Sequence, residues 1–160
     1  MTDLLTALTA LTALACAVAA GVFLAFSSFV MRALDTLPPA PAVAAMQAIN
    51  ASAIPSSFFF IAYATVLPCL GLAVWAAVDW HESAAPYVLA GSALYVIGSM
   101  GVTAATHLPR NDALATVDPE SAEAAERWSR YFAEWMLWNH VRAAGAFAAA
   151  MALTAALLVG

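Results

Sequence analysis

The side chains able to do chemistry gather in one stretch, Trp128 to Arg142 (WSRYFAEWMLWNHVR). On a helix turning about 100° per residue, Tyr131, Trp135, Trp138, Asn139 and Arg142 fall within an arc of about 100°, the width of a buried stripe. Rings, an amide and a guanidinium would then share one surface, at the depth where the helix enters the bundle. The plainer reading makes the tryptophans an interfacial aromatic belt and Arg142 a helix anchor. His140 projects 100° or more away from the cluster, so its place beside Asn139 in sequence does not make it a partner. Of the other histidines, His107 could share a depth with His140, with Asp112 or Glu134 nearby, whereas His81 lies at the opposite end of the chain's fold. There is no HxxxH, ExxH or CxxCH pattern, so a metal or haem site is not expected; its ligands would be His107 and His140, joined by Asp112 or Glu134.

What must position these residues follows from composition. Of 160 residues, 64% are hydrophobic and only 9% are charged, with a mean hydropathy of +0.86. A soluble domain carries about 25% charged residues because its surface faces water. No charge falls between Asp3 and Arg32, between Asp35 and Asp79, between Glu82 and Arg110, or after Arg142. This is the signature of a polytopic membrane protein, and it excludes a soluble enzyme and a disordered chain. With no Lys and no basic patch, it excludes a nucleic-acid binder as well. The net charge of −5 reflects mainly the acidic segment Asp112 to Glu134. Cys16 and Cys69 sit in apolar runs and read as small buried hydrophobes.

A spanning helix needs about 20 apolar residues. Four segments qualify, at about 4–30, 54–78, 86–106 and 142–158, giving an all-α, four-helix membrane bundle in a single domain covering 1–160. Pro55 is expected in the first turn of the second span and Pro68 to kink it. All five arginines lie in or beside the 1–2 and 3–4 connections. The positive-inside rule therefore puts those connections in the cytoplasm and both termini outside the cell membrane. Pro41 to Asn50 reads as a short interfacial helix. HLPRNDAL reads as a break after span three, and Asp118-Pro119-Glu120 as the start of a helix running into span four. Gly91, Gly98, Gly101 and Ala105 form a small-residue stripe for helix packing. At membrane depth a polar group is costly and faces the bundle interior, which favours function for Asn139 and Arg142.

The end of span one (GVFLAFSSFVMRAL), AMQAIN, the PRNDAL element and W-x6-W-x2-WNHVR occur in this order over nearly the whole chain. In these elements the chain resembles the anthrone oxygenase-like family of small four-helix membrane proteins. The resemblance implies a cofactor-independent oxygenase that turns an anthrone, or a related polycyclic phenol, into a quinone with dioxygen. Trp135 and Trp138 would then flank the ring system, with Asn139 and Arg142 on the enolate oxygen. His140, Asp112 or His107 would act as base, and Tyr131 would bind substrate; Asn111, in the family's PxN element, would bind substrate or cap the loop, and Asn50 would bind substrate or be a solvated surface group. The expected partners are the lipid bilayer, a hydrophobic aromatic small molecule and dioxygen, with a homo-oligomer compatible. The alternative is a non-catalytic membrane protein whose aromatic-Arg cluster binds a lipid, a quinone or another subunit. A transporter ranks below both, because no span carries a paired charge at mid-membrane.

Overall fold

A computed structural model describes residues 1–160. It is all-helical: α1 (Asp3–Asp35), α2 (Pro39–Ala53), α3 (Ser57–Val78), α4 (Ala85–Ala115) and α5 (Ala124–Val159). All but α2 are long and apolar enough to cross a membrane, and together they make a four-helix membrane bundle. Helices suit that solvent because each satisfies its own backbone donors and acceptors.

Helix length decides where the extra structure lies. At 1.5 Å per residue α3 covers about 33 Å, close to the hydrocarbon thickness, while α1, α4 and α5 reach about 45–55 Å. At one end the helices finish flush: the Met1 amino group pairs with Glu82 at 3.5 Å, and Ser83 Oγ donates to the Val159 carbonyl at 2.6 Å. The excess length of α1, α4 and α5 therefore projects from the other end. That end carries every charged residue except Asp3, Asp79, Glu82 and the buried Arg142. α2 packs there, and a second core forms from Met31, Val43, Met46, Leu114, Trp128 and Tyr131. The larger core inside the bundle joins Cys16 and Phe23 of α1, Cys69 of α3, Tyr95 of α4 and Leu153 of α5.

Several boundaries differ from those expected of the sequence, each for a local reason. Pro55 lies in the turn before α3, where the Ser56 side chain caps the helix by accepting from Phe59 N. Pro68 does disturb α3: without an N–H it leaves the Ala64 carbonyl without a helical donor, and the helix is interrupted at Thr65. HLPRNDAL is not a break. α4 runs through it to Ala115, because a widened π-type turn at Thr103–His107 precedes Pro109, and Arg110 Nη1 donates to the Thr106 carbonyl at 2.7 Å. The last helix begins at Ala124 and not at Asp118. The Asp118 carboxylate accepts from Glu120 N, and successive tight turns then lead to Ala124.

The small-residue stripe on α4 divides. Gly98 meets Gly145 of α5 so closely that a Cβ on Gly145 would lie 2.7 Å from the Gly98 carbonyl carbon and oxygen, and Gly91 packs on Leu153. Gly101 and Ala105 are exposed. The widened turns at Leu94–Gly101 and Thr103–His107 rotate them off the packed face.

Candidate functional site

A cavity of about 360 Å³ lies where the two cores meet, lined mostly by apolar residues from α1 to α5. That volume is within the range of about 300–1,000 Å³ found for small-molecule sites. Its deep wall comes from Phe23 and Phe26 of α1, Phe58 and Tyr63 of α3, and Trp135 of α5. Ile54, Leu108 and Asp112 line it from the outside and are themselves exposed, so they form its rim.

Two polar ties hold α2 and the α4–α5 projection over the cavity. Gln47 Nε2 donates to the carbonyls of Leu114 (2.9 Å) and Val117 (2.8 Å). Trp128 Nε1 donates to the Asp35 carboxylate at 2.9 Å, fastening α5 to the end of α1.

Arg142 is the charge in the deep wall. It is only 8% exposed, and no carboxylate pairs with it. Its Nε donates to Asn139 Oδ1 at 2.8 Å and its Nη1 to Thr103 Oγ1 at 3.4 Å. The guanidinium lies 4.2 Å from the Phe23 ring centroid and 5.0 Å from that of Trp135. Asn139 is fully buried and donates to the Phe23 carbonyl and to Ser27 Oγ, both at 2.8 Å. That carbonyl sits just before a third widened turn, at Phe26–Val30. Asn139 thus bolts Arg142 to α1 while leaving the guanidinium facing rings. A buried cation with only neutral partners is costly, since removing it from water takes several kcal/mol that neutral contacts only partly offset.

His107 is the second polar group of that wall, 1% exposed and edge-on to Trp135 at 5.0 Å between centroids. Its tautomer can be worked out. Thr106 Oγ1 donates its single proton to the Val102 carbonyl at 2.7 Å, so toward His107 Nδ1, 3.1 Å away, it can only accept. The ring proton therefore sits on Nδ1, and Nε2 keeps a lone pair. Nε2 is buried without a partner, as are Tyr63 Oη and Trp135 Nε1, and all three residues line the cavity. Each such atom costs about 1–3 kcal/mol unless something bonds it.

A second polar group lies toward the rim. Tyr131 Oη donates to Asn111 Oδ1 at 2.8 Å and accepts from Asn50 Nδ2 at 3.4 Å, and both amides line the cavity. Asp112 lines it too, from the exposed rim.

Four residues of the expected constellation do not line the cavity: Tyr131 and Asn139 are buried behind it, and Trp138 and His140 lie away from it. Trp138 is half-buried and does not line the cavity. α5 buries Trp135, Asn139 and Arg142 toward its neighbours, and Trp138 sits beside that row. His140 is exposed, with Nδ1 against the carbonyl of Met136 in its own helix. His107 by contrast is buried, and no group of three His, Cys, Asp or Glu side chains that could hold a metal ion is found. Sequence reasoning missed Tyr63, Thr103 and the Phe23/Phe26/Phe58 wall. The one available signal was the aromatic run FFFIAY (Phe58 to Tyr63), dense for the opening of a span.

A family model described as anthrone oxygenase matches residues 56–152, more than half of the chain. The chain belongs to the anthrone oxygenase family. The matched region contains Tyr63, Thr103, His107, Asn111, Tyr131, Trp135, Asn139 and Arg142, while Phe23 and Asn50 lie outside it. No curated protein and no solved structure matches the chain. The cavity combines a mostly apolar slot, an unpaired cation and a buried imidazole in one wall.

Proposed function

We propose that the protein is a membrane-embedded oxygenase that oxidises an anthrone-type or other polycyclic phenolic substrate with dioxygen, the substrate's own enolate supplying the electrons. The observation that carries the reading is Arg142, buried without a counter-charge and facing the aromatic wall of the cavity.

The steps balance without another redox partner. His107 Nε2 takes a proton from the ring CH₂ opposite the carbonyl, and the electron pair of that C–H bond delocalises through the flanking aromatic rings onto the carbonyl oxygen as an enolate. Arg142, held by Asn139, stabilises this oxyanion as it forms. The electron-rich carbon gives one electron to dioxygen, and the resulting radical and superoxide combine through a new C–O bond. The proton held by His107 completes a hydroperoxide. Loss of the second C–H proton with cleavage of the O–O bond leaves a new carbonyl and releases water. One carbon is oxidised from CH₂ to C=O, and one dioxygen is reduced. Both the polycyclic substrate and dioxygen concentrate in lipid, where the slot lies.

The base is assigned to His107 over Asp112 and His140 on its free, buried Nε2. Asp112 is at the water-facing rim, and His140 is outside the cavity. The arginine-rich end faces the cytoplasm of the cell membrane and both termini face out, which a protease-accessible tag at either terminus would test.

The test is oxygen uptake by the purified protein given a synthetic anthrone, beside the Asn139→Ala variant. Uptake well above the protein-free rate, lost in a folded Asn139→Ala variant, supports the oxygenase. An anthrone that binds without accelerated uptake would turn the reading toward a quinone- or lipid-binding membrane protein.

A further inference from the structure

Behind the cavity wall, between α1, α2 and the start of α3, an open groove runs along the outside of the bundle. Four side chains, Val22, Ile49, Ala53 and Phe58, line both the groove and the cavity. All four are half-buried, so a single layer of side chains separates the two spaces. Small residues of α2 complete the groove on its outer side, among them Ala48 and Ser52, which are exposed and do not line the cavity.

The groove and the rim open at different depths. The helices finish flush at the far end, so distances along them can be compared. Val22 stands about 28 Å along α1 from Asp3, and Phe58 is the second residue of α3, whose length of about 33 Å matches the hydrocarbon. Both therefore lie just inside the hydrocarbon boundary. Asp112 at the rim stands about 40 Å along α4 from Ala85, beyond that boundary. The fastening of α2 is also one-sided. Its side-chain hydrogen bonds to other elements run from Gln47 to the carbonyls of Leu114 and Val117, and from Asn50 to Tyr131. None crosses the groove to α1. The Phe58 ring itself rests edge-on against Phe23 at 5.7 Å between centroids, an apolar contact that a change of rotamer can open without moving a helix.

We propose that this groove is a lateral portal, through which an apolar ligand dissolved among the acyl chains enters the cavity between α1 and α2, past Phe58 and Ile49. This rests on the reading that the cavity holds an apolar aromatic ligand, and it adds the path by which the ligand arrives. Passage by the rim would first expose the ligand's apolar surface to water, which is unfavourable. Passage by the groove keeps that surface against hydrocarbon or apolar side chains throughout. The rim, which carries Asp112, is left as the opening toward headgroups and water.

Rates distinguish a path from a site. Closing a path slows entry and exit together and leaves Kd unchanged, because Kd is the ratio of the two rate constants. The probe is an anthraquinone, followed by its own absorbance, added to the full chain in lipid nanodiscs. Ser52→Trp fills the groove from an exposed position outside the cavity. It is expected to lower kon and koff each by about tenfold, with Kd held within about twofold. Ala48→Trp, one turn away on the same face of α2, is expected to do the same from an independent position. Ala115→Trp, which obstructs the exposed rim, is expected to leave both rate constants within about twofold. Unchanged rates in folded Ser52→Trp and Ala48→Trp variants overturn the portal while leaving the cavity's ligand reading intact. So does a slowing confined to Ala115→Trp, or a weaker Kd in the groove variants with koff unslowed. Failure of the probe to bind the unaltered protein overturns both.

Discussion

Replacing Arg142 with Met separates a catalytic arginine from a structural one. Methionine roughly preserves length and removes the charge. The guanidinium's burial carries a desolvation penalty of several kcal/mol. Against it stand one short hydrogen bond to Asn139 worth about 1.5–3 kcal/mol, a long one to Thr103 worth less, and two ring contacts worth about 1–2 kcal/mol each. These contributions nearly cancel, so Arg142 adds little to stability. The substitution leaves Asn139 Oδ1 without its donor, a loss of about 1–3 kcal/mol, while Asn139 still bonds Phe23 and Ser27. Arg142→Met should therefore fold, with its melting temperature lowered by several degrees at most. Loss of the oxyanion partner should lower kcat by about 10²–10³, equivalent to 3–4 kcal/mol. Oxygen consumption with an anthrone, normalised to folded protein by size-exclusion and thermal melting, reads both. A well-folded variant turning over within threefold of the unaltered protein would refute the reasoning, as would a collapse in stability with normal activity per folded molecule.

Other substitutions probe separate parts of the account. His107→Gln keeps a polar group in the wall but lacks the imidazole base, so kcat should fall about 10²–10⁴-fold while anthraquinone affinity in a titration holds within a few-fold. Gly145→Ala forces a methyl to 2.7 Å from the Gly98 backbone. It should destabilise the bundle by about 1–3 kcal/mol in a detergent melt. Gly21→Ala, with nothing within 4 Å, should leave the melt unchanged or raise it by about 0.5–1 kcal/mol. Gln47→Leu removes both ties from α2 to the end of α4. It should cost about 1–3 kcal/mol and speed amide exchange across α2 before it alters the membrane helices.

The long apolar runs and the charge-free intervals were enough to read four helices, because lipid leaves the backbone no other solution. Helical periodicity was also enough to put Tyr131, Trp135, Asn139 and Arg142 on one face. It placed Trp138 there too, and that is where a wheel drawn about one isolated helix fails: the neighbours bury only part of the arc. The widened turns had no visible signal. FSSFV and TAATH look like ordinary helix, yet these turns sit beside the Phe23 carbonyl and carry His107 and Thr103. The same turn let α4 pass Pro109, where the sequence suggested a stop. Tyr63 was hidden in a run that looked merely apolar, since only the folded cavity shows its hydroxyl without a partner.

The most direct measurement is the stoichiometry of dioxygen consumed and quinone formed when the purified protein, in lipid nanodiscs, is given a synthetic anthrone. The account predicts one dioxygen consumed per quinone at a rate far above the protein-free control, and a fall of about a hundredfold or more when Arg142 is replaced by Met. Quinone formation at the spontaneous rate, indifferent to protein concentration, would contradict it.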